Sequence, residues 1–250
     1  MTAVLSGAVL VELDGRVMSL FGPGATAVPN GLRVAGDLPA LPVGGPATSG
    51  NGQLRLPGVD IVVTRIWPTR VPRTDVDPGR LELLTELIEG TDAGLAVPTT
   101  AATTADELAN RLVGFGPGLT PAGDDLLCGL LVGRRAAGND VGAAELGAAV
   151  RRALSDPRRT TAFSAQLLRL AAAGHACLEV LAVLTALRRG AARPAPAGAA
   201  GDPRLPPATQ ATMTTATRRL CRIGHTSGPA LAAGLLAGLR SGIGAERAAA

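Results

Sequence analysis

The chain has 250 residues and a mass of 25.0 kDa, enough for one large domain or two small ones with a sizeable buried core. Hydrophobic residues make up 46% and charged residues 18%, which excludes global disorder, and the length excludes a disulfide-stapled miniprotein. The aromatic content of 2% leaves few surfaces on which bases could stack, so we expect no nucleic-acid partner.

All 24 basic residues are Arg, and the formal net charge is only +4 despite a pI near 10.0. The absence of Lys in this chain excludes Schiff-base chemistry and a Walker-type phosphate lysine. Several Arg occur in pairs near the ends of predicted helices, where they complement the helix dipole. We therefore interpret the high pI as a consequence of Arg usage and not as a nucleic-acid signal.

The cysteines and the apolar stretches indicate the cellular compartment of the protein. The three cysteines are odd in number, far apart and surrounded by apolar residues, as in proteins of a reducing compartment. The N-terminus lacks the basic segment of a signal peptide, and the longest apolar stretch, 167–187, contains Arg169, His175 and Glu179. We expect a cytoplasmic protein with no membrane association.

The first third of the chain has the alternating pattern of strands. Residues 8–21 predict a hairpin around Asp14 and Gly15, a pair that suits a type I′ turn. A second hairpin is predicted from Gln53–Leu56 and Val59–Trp67 around the turn at 57–58. These elements predict a small antiparallel sheet or barrel.

From Pro78 onward the apolar spacing becomes helical, starting with 81–88 and its expected stop at Gly90. Thr104 and Glu107 predict a capping box, and further helices are predicted near 121–137, 141–154, 161–173, 176–189, 208–221 and 229–240. We therefore predict an α+β fold, with an N-terminal β domain (1–77) and a larger all-helical domain (78–250).

A glycine-rich segment, GFGPGLTPAGDD at 114–125, joins two predicted helices. Glycines permit positive φ, so consecutive amides can turn inward and bind an anion beside the N-terminus of the next helix. Thr120 and Pro121 suit the N-cap and first position of that helix. We predict an anion-binding loop whose binding residues are Gly116, Gly118, Leu119, Thr120 and Gly123.

Two adjacent acids, Asp124 and Asp125, follow this loop. Neighbouring residues on a helix diverge by about 100°, so the pair cannot form a parallel carboxylate dyad. One can face a ligand while the other caps or pairs, and both can be simple dipole partners. The functional roles open to them are holding an amide NH₂, orienting an Arg, or binding Mg²⁺ through water. We assign no metal ligand and no definite cofactor.

A second polar turn, Gly224–Pro229, precedes the last predicted helix. It could be only a cap, but it combines a titratable imidazole with hydroxyls at a helix start. His225 joins Asp124 and Asp125 as a candidate catalytic residue, and Thr226, Ser227 and Gly228 are candidate binding residues. Glycines at four-residue spacing, 129/133 and 234/238, predict close packing of the two helices, which would bring both polar segments together.

The blocks GFGPGLTPAGDDLLCGLL (114–131) and RIGHTSGPALAAGLLAGL (222–239) resemble the AllH-like family, which includes the AllH subunit of oxamate carbamoyltransferase. The resemblance implies a role in purine or allantoin degradation, in which oxalurate and phosphate give oxamate and carbamoyl phosphate. It also implies companion AllF-like and AllG-like subunits.

Three functional hypotheses remain open. The first is a carbamoyltransferase subunit in which the loop holds phosphate and the acids orient the carbamoyl amide. The second is a non-catalytic partner or regulatory subunit that binds a small anion. The third is another acyl or phosphoryl transferase that reuses the same site, since a fold does not fix a reaction.

Overall fold

The computed structural model describes residues 3–5, 7–38, 40–89, 104–189 and 207–249. The predicted stop at Gly90 lies outside these residues. The Pro-, Gly- and Ala-rich composition of residues 190–207 predicts a flexible loop, and all of it except Pro207, which begins a helix, also lies outside them. Contacts divide the chain into two compact units, Met1–Thr69 and Arg70–Ala250. The strands are β1 (Ala3–Leu5), β2 (Ala8–Leu13), β3 (Arg16–Phe21), β4 (Gly31–Arg33), β5 (Thr48–Gly50), β6 (Gln53–Leu56) and β7 (Val59–Val62). The helices are α1 (Pro78–Glu89), α2 (Ala105–Leu112), α3 (Ala122–Ala136), α4 (Asp140–Ala153), α5 (Ala162–Ala172), α6 (Leu178–Leu187), α7 (Pro207–Cys221) and α8 (Ser227–Ala249). The α+β class, with strands first and helices after, is confirmed.

The first unit contains two sheets, ordered β1-β2-β3-β4 and β5-β6-β7. The predicted first hairpin is confirmed, since β2 pairs with β3 around Asp14 and Gly15, whose φ angles of 49° and 72° fit a type I′ turn. The second hairpin is also present, although β7 ends at Val62 and not at Trp67.

The sequence predicts a single antiparallel sheet or barrel, but this unit has two sheets, and the first sheet contains a parallel pair of strands. Strand β4 pairs with β3 in parallel, because the segment between them returns the chain in the same direction. Val9, Val11 and Leu20 of the first sheet share one apolar core with Leu54 and Leu56 of the second. This shared core holds the two small sheets together.

The second unit is a bundle of helices around a core rich in Leu, Val and Ala. The predicted capping box of α2 is present, with Thr104 accepting from the Glu107 amide and Glu107 accepting from the Thr104 amide. Buried Arg80 donates to the carbonyls of Ala186 and Arg188 at the end of α6, where a cation complements the helix dipole. Within the described residues, no helix is both long and apolar enough to cross a membrane.

Helices α3 and α8 pack along a seam of glycines, which we call the glycine seam (Gly129, Gly133, Gly234 and Gly238). A Cβ at Gly129 would overlap the carbonyl of Leu231, and a Cβ at Gly234 would overlap that of Leu126. The predicted close approach is therefore confirmed. Contacts advance in the same direction along both helices, so the helices run parallel and their N-termini lie at one end of the seam.

Candidate functional site

The glycine-rich loop runs from the end of α2 to the start of α3. Gly116 and Gly118 have φ angles of 107° and 99°, a backbone conformation that L side chains rarely adopt. Their amides, and those of Leu119 and Thr120, donate to no acceptor among the described residues. Gly116 and Gly118 are also exposed. The loop thus offers ordered, accessible donors, which is the property that an anion site requires.

Asp124 anchors this loop. Its side chain is 1% exposed, and Oδ1 accepts from the Gly114 amide at 2.7 Å. Oδ2 accepts from the Ser164 hydroxyl at 2.6 Å and from the Thr160 hydroxyl. Three protein donors thus engage the two oxygens of this carboxylate. These contacts tie the start of the loop to the first turn of α5.

The far end of the loop is held by Thr161, the N-cap of α5. Its hydroxyl accepts from the Ser164 amide at 3.0 Å and donates to the Leu119 carbonyl at 2.6 Å. With Asp124 at one end and Thr161 near the other, hydrogen bonds within the protein hold the shape of the loop. A preformed shape lowers the entropy that ligand binding must overcome.

The prediction that Thr120 caps α3 is wrong by one residue, since Pro121 is the N-cap and no side chain caps this end. The Thr120 hydroxyl instead lies 2.9 Å from the hydroxyl of Ser227, at the start of α8. The parallel packing of α3 and α8 makes this contact possible, because it brings the two helix starts together. The two polar segments converge here, as their glycine spacing predicted.

Asp125 lies at the same point, on the first turn of α3. Its side chain is 8% exposed, and Oδ2 is buried with no hydrogen-bond partner. Burial raises the pKa of this carboxyl from 3.8 to about 7. Hydrogen bonding of the Ser227 and Thr120 hydroxyls to this carboxyl opposes the increase, while the charge of Asp124 adds to it. We call Thr120, Asp125 and Ser227 the junction cluster.

The remaining predicted site residues fall into two groups. The amides of Gly123 and Gly228 donate internally, to Phe115 at 2.9 Å and Ile223 at 2.8 Å, so these glycines serve close packing. His225 and Thr226 are exposed in the turn before α8. No contact among the described residues joins His225 to either carboxylate, and its catalytic role stays a prediction. No described group of three or more His, Cys, Asp or Glu could hold a metal ion.

Two hydroxyl residues of the site were not assigned from the sequence. Thr160 and Ser164 stand at the start of a predicted helix, where short hydroxyl residues usually act as caps, but both donate to Asp124 across 36 and 40 positions of chain. Only Thr161 caps α5 with its side chain. A hydroxyl at 164, between the apolar residues Phe163 and Ala165, is the one sequence signal that indicated a buried partner.

Comparison with known proteins gives a family match over part of the chain. Residues 112–200 match the model of a family described as oxamate carbamoyltransferase subunit AllH. The match covers the glycine-rich loop, Asp124, Asp125 and helices α3 to α6, but not the turn before α8. No curated protein matches the chain. No solved structure matches it either. Over residues 112–200, this chain is therefore similar to the AllH subunit family, as the sequence of its glycine-rich loop indicated.

Proposed function

We propose that the chain is a subunit of a carbamoyltransferase and that it binds a small anionic substrate at the junction of the glycine-rich loop with the junction cluster. The observation that carries the proposal is the convergence of free loop amides, two hydroxyls and an incompletely paired buried carboxylate at two helix starts. The family similarity over the loop supports the choice of reaction class.

The reaction consistent with this class transfers the carbamoyl group of oxalurate to phosphate. The bond between the carbamoyl carbon and the oxamate nitrogen breaks, and a bond from that carbon to a phosphate oxygen forms. The proton of the attacking hydrogen phosphate passes to the oxamate nitrogen, which gives oxamate and carbamoyl phosphate. Oxalurate, oxamate and carbamoyl phosphate are small anions that carry amide groups, so donors and an acceptor are both needed to hold them.

Each part of the site has a proposed role in this reaction. The amides of Gly116, Gly118, Leu119 and Thr120 bind phosphate or carboxylate oxygens, with the N-terminal end of α3 adding its positive potential. Asp124 is a positioning residue that fixes the loop. Asp125, with a pKa of about 7, can hold or release a proton at neutral pH. His225 is proposed as an accessory proton carrier at the exposed edge.

Companion subunits complete this proposal, because the family description is that of a subunit. We propose AllF-like and AllG-like partners and a cytoplasmic location, which is consistent with the three free cysteines. The competing idea of a non-catalytic anion-binding subunit makes a different prediction. In that case, Asp125 variants assembled with the partners would keep full turnover.

A thermal-shift titration tests the binding site. Wild type would be titrated with carbamoyl phosphate, oxamate, oxalurate, phosphate and ATP, with and without Mg²⁺. A ligand at 100 times its Kd adds about 2.7 kcal/mol to the free energy of unfolding, which is a shift of a few degrees. We expect stabilisation by carbamoyl phosphate or oxamate and a smaller shift in Thr120→Val.

The matched control is Thr185→Val, which removes an exposed hydroxyl from α6 that is bonded only to its own helix. This variant should respond like wild type. Equal responses of both valine variants, or stabilisation by ATP alone, would contradict a carbamoyl-anion site at the loop.

A further inference from the structure

We propose that Asp125 makes this site selective for ligands that carry a primary amide next to their anionic group, an inference that rests on the proposed function. The juxtaposition behind it is a buried carboxylate oxygen, Oδ2, that has no hydrogen-bond partner and belongs to a carboxyl in contact with Thr120 of the glycine-rich loop. Nothing in the anion-binding role alone accounts for an acid at this position.

Asp125 is costly to an anion site. A carboxylate repels an anionic ligand and destabilises the fold when it is buried with an unpaired oxygen. Asp124 has no such cost to explain, because its two oxygens receive three protein donors. Asp125 is therefore the acid whose remaining bonding capacity is open to a ligand.

The chemistry of the surrounding groups determines which ligand atoms can bond to Asp125. Backbone amides can only donate, so the loop recruits oxygens of the ligand. The hydroxyls of Thr120 and Ser227 can donate or accept, but they already bond each other and the Asp125 carboxyl, which leaves Oδ2 without a partner. Oδ2 of the ionised carboxyl can only accept, so it requires an N–H or O–H from the ligand. An amide NH₂ beside the anionic group meets this requirement.

The closest apolar replacement for the amide NH₂ is a methyl group. A methyl group has nearly the size of an NH₂ but cannot donate, so it would leave Oδ2 without a partner in the complex. Sites built to bond a polar group reject the analogue that lacks it far more strongly than apolar pockets reject a missing methylene. The predicted selectivity is thus a property of Asp125 and not of pocket size.

Two pairs of anions differ only by this exchange: oxamate with pyruvate, and carbamoyl phosphate with acetyl phosphate. Isothermal titration calorimetry of the full chain would measure all four affinities. We expect the amide member of at least one pair to bind at least about tenfold more tightly. Asp125→Leu keeps the approximate size but removes the acceptor, and it should reduce the ratio to within about twofold.

Asp125→Asn keeps a carbonyl acceptor and should retain most of the preference for the amide ligand. This second variant keeps the test informative if the Leu variant misfolds. The control, Asp60→Asn, changes an exposed acid of β7 in the other unit and should leave the ratio at its wild-type value.

The outcomes separate this inference from the proposed function. Equal wild-type affinity within both pairs would overturn the amide selectivity while leaving the anion site in place. A ratio unchanged in Asp125→Leu would also overturn it, because the selectivity would then come from another group. Failure of all four anions to bind would overturn the proposed function together with the inference.

Discussion

The glycine seam and the junction cluster are built from the same two helices but differ in how completely their groups are satisfied. Along the seam, backbone packs on backbone with no room for a single added carbon. At the N-terminal end, the same approach brings together hydroxyls and a carboxylate, and one buried oxygen is left without a partner. The seam stabilises the fold, whereas the junction costs stability. Buried groups with open bonding capacity at a preformed site are typical of ligand binding.

The two adjacent acids, Asp124 and Asp125, differ in the same way. The largest expected effect on the free energy of unfolding comes from Asp124. Asp124→Ala would leave the Gly114 amide and the Thr160 and Ser164 hydroxyls without their acceptor. Each unsatisfied buried donor costs about 1–3 kcal/mol, so the total loss should be about 4 kcal/mol. Urea denaturation at pH 7 measures it. A loss of less than about 1 kcal/mol would show that Asp124 does not anchor the loop.

Asp125 should behave in the opposite way. Its folded pKa of about 7 lies above its unfolded value of 3.8, so the native state binds a proton that the unfolded state has released. The contribution of Asp125 to stability is fully present below pH 3.8 and is lost as pH rises to about 7. The free energy of unfolding of Asp125→Asn relative to wild type should therefore rise by about 4 kcal/mol between pH 4 and pH 8.

Denaturant titrations of Asp125→Asn and wild type at several pH values measure this difference. A difference that stays flat across the range would mean that folding does not raise the pKa of Asp125. The junction would then carry no stability cost of the kind described.

Breaking the glycine seam should have a smaller net effect. In Gly234→Ala the new methyl would overlap the Leu126 carbonyl and force the helices apart. Overpacking costs about 1–3 kcal/mol, and the better helix propensity of Ala offsets part of it, so a net loss of about 2 kcal/mol is expected. Thermal or urea unfolding would measure the change.

The control for the seam is Gly147→Ala on α4, where the added carbon would lie 3.3 Å from the Cβ of Ala172. A small shift of a flexible neighbourhood can accommodate it, and the variant should be close to neutral. If both glycine variants lose the same stability, close approach is not the special property of the seam.

The smallest effect is expected from the hydroxyl pair. A double-mutant cycle of Thr120→Val and Ser227→Ala isolates the hydrogen bond that joins the starts of α3 and α8. A neutral bond of this kind contributes about 1 kcal/mol. Additive effects of the two substitutions would indicate that the helix starts are not coupled through these side chains.

Local features of this fold could be read from the sequence, and long-range ones could not. Asp14 and Gly15 specify their turn, and Thr104 and Glu107 their capping box, because the partners are at most three residues apart. The parallel pairing of β4 depends on a connection whose path no local pattern encodes. The same reason hides the contacts of Arg80, whose acceptors lie more than 100 positions away.

The same difference between local and long-range features applies to the candidate site. The loop glycines and both acids stood out by composition, and the four-residue glycine spacing predicted that the two polar segments converge. Which acid is saturated and which keeps a free oxygen could not be predicted. That distinction depends on Thr160 and Ser164, which approach Asp124 from α5 through tertiary packing.

The most direct test of the anion site is a backbone amide NMR titration of the ¹⁵N-labelled full chain with oxamate and with carbamoyl phosphate. We expect the largest chemical-shift changes at the amides of Gly116, Gly118, Leu119 and Thr120, with further changes at Ser227. These are the free donors of the loop and its partner across the junction. Saturable changes confined to other parts of the chain, or no changes at millimolar ligand, would contradict a small-anion site at the start of α3.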